Sequence, residues 1–164
     1  MRTETWCGYT IRFIEVHDEW YAILKDICDA LDLRTDKVAQ RLDPDTLTRI
    51  NVDVSDHLSK GDRSRGDNKT RWMLAVNEIG IYEALYSSRK LEARKFRRWS
   101  TGIMQKLRKH VGLEGYEVMR MTDPDIQEEI DHFLDDIFYD EEKGMLMRSV
   151  TVAGGDVNQV PFEW

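Results

Sequence analysis

Arg94, Arg97, Arg98 and Arg108, flanked by Lys95 and Lys109, are the residues whose types and spacing point to chemistry in this chain. They fall between Arg89 and Lys109, where Glu92 is the only acid, and Arg89 and Lys90 begin the run. A guanidinium is permanently charged and carries its donors in a planar fork. A row of them suits bidentate contact with phosphate oxygens or a guanine edge. A helix face of one sign also repels itself, and an anion laid along it relieves that repulsion. The competing reading is a solvated helix face over a buried seam. A second basic group, Lys60, Arg63, Arg65, Lys69 and Arg71, lies in a polar stretch from Ser59 to Arg71 that contains glycine and lacks periodicity. It reads as a loop, either an arm that reaches a phosphate backbone or a solvated hairpin tip.

No catalytic constellation accompanies these cations. His17, His57, His110 and His132 share no metal-ligand spacing. The chain has no HExxH, GxSxG or P-loop motif. Asp135, Asp136, Asp140, Glu141 and Glu142 are dense but do not follow a calcium-loop pattern, and they read as a solvated acidic face. Cys7 and Cys28 are too far apart for a CxxC site, and Cys28 reads as a small buried hydrophobe. The expectation is a protein that is not an enzyme and uses no cofactor or metal.

The elements that would position the basic residues can be read from periodicity. Phe96, Trp99, Ile103 and Leu107 follow i, i+3, i+7, i+11, which predicts a helix with an apolar stripe opposite the arginines. Gly112 marks its stop. Before it come a strand from Trp72 to Val76 and a helix capped by Asn77, with Glu78 at its positive end and Ser88 as the next cap. Earlier, Tyr9–Val16 and Trp20–Leu24 read as strands around a turn at His17-Asp18-Glu19. Asp26–Leu31 begins a short helix, and a second starts from Thr35 as cap with Val38, Ala39 and Leu42 inward. Lys37 and Arg41 share a face of that helix, for solvation or for a phosphate. Pro44 ends it, and Thr46–Val54 suggests another strand.

The last third of the chain is acidic, with Arg120 the only Lys or Arg between Glu114 and Glu142. Asp123-Pro124 gives a cap and a first-turn proline. Ile126, Ile130, Phe133, Leu134 and Ile137 then form one apolar stripe, with Asp125, Glu128, Glu129, Asp131 and Asp135 outside it. That stripe must bury itself, against the preceding domain or as the seam of a homodimer. Ile137–Tyr139 and Met145–Val152 suggest a β-hairpin, and Val157–Trp164 reads as a frayed tail or a peptide that docks on a partner.

In bulk, 41% hydrophobic residues are enough for a core, and no apolar run is long enough to span a membrane. The N-terminus lacks the apolar segment of a signal peptide, so the expectation is a cytoplasmic protein. A net charge of −7 argues against wholesale coating of nucleic acid, but the basic and acidic blocks are segregated. The expected fold is α+β. A small antiparallel sheet packed with several short helices occupies 1–112, and a C-terminal amphipathic helix with a β-hairpin occupies 113–164.

The ordered set Asn77-Glu78-x-Gly80-x-Tyr82, Ser88-Arg89-Lys90 and Ala93-x-Lys95-Phe96-x-Arg98-Trp99 resembles the signature of the Bro-N domain, found in phage and prophage antirepressors and large DNA viruses. Trp20-Tyr21 with Lys25-Asp26-Ile27-Cys28-x-Ala30-Leu31, and the run Thr35 to Asp43, are similar to its earlier elements. The resemblance covers about Tyr9 to Gly112. Two positions depart from it: Asp32 stands where the family often has glycine, and Met104-Gln105 where it often has Leu-Pro, which predicts a straighter long helix. The resemblance implies a regulator in a bacterial host cell that binds double-stranded DNA, a repressor, or both. The alternative is an interaction module whose acidic C-terminal surface mimics DNA, as an anti-CRISPR-like inhibitor would.

Overall fold

Two tight turns organise the first 23 residues. Cys7 (φ 48°) and Gly8 (φ 83°) form one, and His17 (φ 52°) and Asp18 (φ 65°) the other. Positive φ at both central residues is the hairpin turn whose twist matches that of the strands it joins. The three strands so connected are β1 (Arg2–Trp6), β2 (Tyr9–Val16) and β3 (Glu19–Ile23). β1 is absent from the sequence reading because Arg2-Thr3-Glu4-Thr5-Trp6 is almost wholly exposed and shows no buried face. The computed structural model describes residues 1–53 and 70–163.

The chain continues through α1 (Leu24–Leu31), α2 (Thr35–Ala39), a 3-10 turn at Pro44–Thr46, β4 (Leu47–Asp53), β5 (Thr70–Val76), α3 (Glu78–Ser87) and α4 (Leu91–His110). A 3-10 helix (Gly115–Thr122), α5 (Pro124–Asp135) and strands β6 (Ile137–Asp140), β7 (Met145–Thr151) and β8 (Val157–Pro161) follow. The fold is α+β, as expected. A five-stranded antiparallel sheet has the order β1-β2-β3-β5-β4, and a three-stranded one the order β6-β7-β8. The tail expected to fray is instead β8, paired along β7 from Thr151↔Val157 to Met147↔Pro161. Main-chain pairing and Phe162 hold it, with no strong apolar pattern of its own.

The chain forms two compact units, Met1–Arg98 and Trp99–Trp164, so the division falls inside α4. In the first, Ile11, Ala22, Leu24, Ile27, Leu31, Val38 and Val76 are buried together with Ala84 and Ala93. A second cluster gathers Ile23, Val52 and Ala75, with Ile50 and Met73 against it. Gly80 permits the close approach of α3: a Cβ there would overlap Val76 Cγ2 and meet Thr46 Cβ at 3.1 Å. Arg12 clamps β2 to α1 by a two-pronged, half-buried ion pair with Asp26, both prongs at 2.8 Å. The Asp26 hydrogen bond raises the Arg12 pKa further above its ordinary value.

In the second unit, Leu107, Leu113, Ile126, Ile130 and Phe133 form the core, with Ile103, Met121, Ile137 and Phe162 packed on it. Phe133 is its centre. The His110 ring stacks at 3.6 Å, Phe162 lies at 5.8 Å, and the Arg148 guanidinium sits 4.7 Å over the ring. Asp123 caps α5 as expected, its carboxylate accepting from Asp125 N at 3.1 Å with Pro124 in the first turn. Gly112, at φ 73°, follows the last turn of α4, which runs unbroken through Met104-Gln105.

Candidate nucleic-acid interface

The basic residues are presented by the elbow between α3 and α4. Asn77 caps α3 by accepting from Gly80 N at 3.1 Å. Ser88 does not cap α4 as expected. It is fully buried, its hydroxyl donating to Leu31 O at 2.8 Å and accepting from Lys90 N at 3.2 Å. The elbow is therefore pinned to the end of α1.

Arg97 belongs to this scaffold rather than to an outer face. Its Nη1 reaches the carbonyls of Leu85 (3.3 Å), Tyr86 (2.7 Å) and Ser88 (2.5 Å). These carbonyls lie at or just beyond the end of α3, where a cation also meets the negative pole of the helix; Leu85 O accepts from Ser88 N as well, at 3.3 Å. Lys90 is half-committed, with its Nζ 4.4 Å over the Tyr9 ring and 3.4 Å from its hydroxyl. Arg89, Arg94, Lys95 and Arg98 remain. All four are exposed, and none has an acidic partner among the described residues. Arg94 and Arg98 are one turn apart, and Lys95 lies three residues before Arg98, so they share a side of the helix.

The apolar stripe is displaced from the expected one. Ala93 and Leu107 are buried, Phe96 and Ile103 are half-buried, and Trp99 is 62% exposed. That displacement carries Arg108 inward: it is 8% exposed and donates to Leu113 O just beyond the helix end. Its long apolar stem lets it follow the buried seam while the guanidinium finds a carbonyl. Lys109 stays exposed in the second unit. Arg63, Arg65 and Lys69 lie outside the described residues.

Asp32 introduces an acid near the cations. It ends α1 in the left-handed conformation, φ 56° and ψ 47°. That is the conformation glycine adopts most freely, which accounts for glycine being the residue the resemblance leads one to expect there. With Leu31, Leu33, Ser87, Arg89 and Lys90 it lines a hollow of about 370 Å³.

The residues expected to form an interface are largely consumed by the chain's own core. Ile126, Ile130 and Phe133 are buried and Ile137 is half-buried, while Leu134 is 39% exposed. A dimer seam through the first three would require that core to open. Among the described residues, no three His, Cys, Asp or Glu side chains are grouped so that they could hold a metal ion. None of the described helices is long and apolar enough to cross a membrane.

Comparison with known proteins bears on the first unit and the start of the second. The model of the BRO family, N-terminal domain, matches residues 10–108, more than half of the chain. No curated protein and no solved structure matches. The chain belongs to the BRO family.

Proposed function

We propose that this BRO-family chain is a phage or prophage regulator that grips duplex DNA through Arg89, Arg94, Lys95 and Arg98. One observation carries the reading: four exposed cations on one elbow, none with an acidic partner among the described residues. Side chains so placed repel one another until phosphates neutralise them. Arg97 and Ser88 hold the elbow in shape and Lys90 contributes a partly engaged charge. The BRO family supports regulation as the role, and the cations supply a mechanism for it.

The test is binding of the full chain to random-sequence duplex DNA over a salt series, beside the Arg94→Glu/Lys95→Glu/Arg98→Glu variant. Four phosphate contacts imply a log–log slope of roughly −3.6. Binding with a slope near that value, lost in the variant, supports the reading. Wild-type and variant curves that superimpose would refute it.

A second reading rests on charge. Residues 1–98 carry 18 Lys and Arg against 17 Asp and Glu, whereas residues 99–164 carry 6 against 14. The second unit therefore suits a basic protein partner, such as a repressor's DNA-binding face, with carboxylates standing where phosphates would. Glu128→Lys/Glu129→Lys/Asp131→Lys abolishes such an interaction and leaves DNA binding intact or stronger. Capture of the partner by both proteins alike would exclude it.

A further inference from the structure

We propose that the β4–β5 ribbon is a second DNA-contacting element, which reads base edges in the major groove through Arg49, Asn51 and Trp72. This rests on the DNA-binding reading, but it concerns a different surface and a different kind of contact. Strand β5 pairs with β3 only at Val76 and Ala75. From Leu74 back to Thr70 it pairs with β4 alone, opposite Arg49 to Asp53. The hairpin thus leaves the sheet as a two-stranded ribbon, and the major groove is wide enough to admit one.

The ribbon has two unlike faces. Ile50, Val52 and Met73 turn inward to the second apolar cluster. Arg49, Asn51 and Trp72 alternate with them and are exposed, with Trp72 67% exposed. Asn51 stands directly across from Trp72, and Arg49 across from Leu74, so the three occupy one patch. None of the three has a hydrogen bond or an ion pair to another described side chain.

The chemistry of the patch selects duplex DNA as the occupant. Arginine presents two donors that match the O6 and N7 acceptors of guanine. Asparagine presents a donor and an acceptor that match the N6 and N7 of adenine, and an apolar surface beside them fits a thymine methyl. The positive charge of Arg49 suits a polyanion. The elbow cations grip phosphates and carry no sequence information, so a regulator needs a second set of contacts to choose a site. The ribbon supplies residue types that can make that choice.

The experiment is selection of bound duplexes from a random pool by the full wild-type chain, by Asn51→Ala/Trp72→Ala and by Arg49→Ala. Salt slopes on a random duplex are measured in parallel. The proposal expects wild type to enrich a motif, and the variants to lose about 10- to 100-fold of its preference over random duplex with the slope nearly unchanged. Variants that retain the full preference overturn the ribbon proposal and leave the elbow reading standing. Wild type that binds without enriching any motif overturns it in the same way. No wild-type binding at low salt overturns both, and preserved binding in the Arg94/Lys95/Arg98 variant overturns the elbow reading alone. All three substituted residues are exposed. If the double variant nonetheless unfolds, Asn51→Ala alone, which removes the adenine-matching donor and acceptor without changing charge, gives the same readout.

Discussion

Arg97 and Arg98 are neighbours in sequence with opposite fates. Arg97 satisfies three carbonyls at the end of α3, and Arg98 faces solvent. Removing Arg97 takes a donor from Tyr86 O and Ser88 O, while Leu85 O keeps Ser88 N, so Arg97→Ala costs about 1–3 kcal/mol of stability, read from the denaturant midpoint. Arg98→Ala shifts stability by no more than about 0.5 kcal/mol while weakening DNA binding. Equal stability losses in the two variants would contradict the assignment. Asp32 presents the reverse case. Its left-handed backbone and its charge at the negative end of α1 are both unfavourable, so Asp32→Gly stabilises by about 0.5–1 kcal/mol. It also removes an acid from the hollow shared with Arg89 and Lys90, so it strengthens DNA binding, and Asp32→Asn isolates that electrostatic part. Cys28 was legible as a buried hydrophobe, and burial pushes its thiol pKa upward. Its neutral form is favoured in the fold, so this contribution is complete below the ordinary thiol pKa and is lost as pH rises through the folded one. Alkylation at mildly alkaline pH therefore labels exposed Cys7 first and reaches Cys28 only on unfolding.

At the scale of elements, the sequence was most informative where local chemistry decides the structure. Asn77, Asp123-Pro124 and Gly112 mark helix ends through interactions with their own backbone, and each lies where its chemistry predicts. Ile126, Ile130 and Phe133 of α5 are buried as their spacing requires, while Leu134 of the same stripe is 39% exposed. What was not legible depends on partners distant in sequence. Ser88 bonds to Leu31, and Arg12 to Asp26, across separations that no periodicity records. β1 and β8 are edge strands whose exposed faces leave no alternating signal. Periodicity marks the long helix and its Leu107 side but misplaces two residues, because Trp99 has the character of core and Arg108 of surface. Gly80 tests the packing of α3 directly. Gly80→Ala forces a methyl against Val76 and Thr46 and costs about 1–3 kcal/mol, whereas helix propensity alone would make the substitution favourable. A variant as stable as wild type in thermal or denaturant unfolding would mean that α3 stands further from the sheet. In the second unit, Phe133→Ala removes the ring shared by His110, Phe162 and Arg148 and costs about 3–5 kcal/mol. Hydrogen exchange in β7 and β8 should accelerate in that variant, because Phe162 loses the Phe133 ring against which it packs.

Across the whole molecule, the net charge of −7 conceals two different electrostatic problems. The first 98 residues are nearly balanced and bring to one elbow four cations that have no acidic partner among the described residues. The remaining 66 hold 14 acids against 6 bases and repel themselves. Salt therefore acts on stability and on binding with opposite signs. Screening relaxes the repulsion within the acidic half and strengthens its fold, while under the proposed DNA-binding role it erodes the counterion-release drive at the elbow. Between low salt and about 0.5 M, where the Debye length has fallen to a few ångströms, the thermal midpoint should hold or rise. Over the same interval DNA binding should weaken by several orders of magnitude if four phosphates are gripped. Both quantities can be measured in the same buffers. A midpoint that falls in step with binding would mean that the salt dependence reports loss of the folded chain, and the slope could not then be read as a count of phosphate contacts. A stable fold that releases DNA leaves the elbow cations as the cause, and the Arg94/Lys95/Arg98 variant should then show a flat salt profile with an unchanged midpoint.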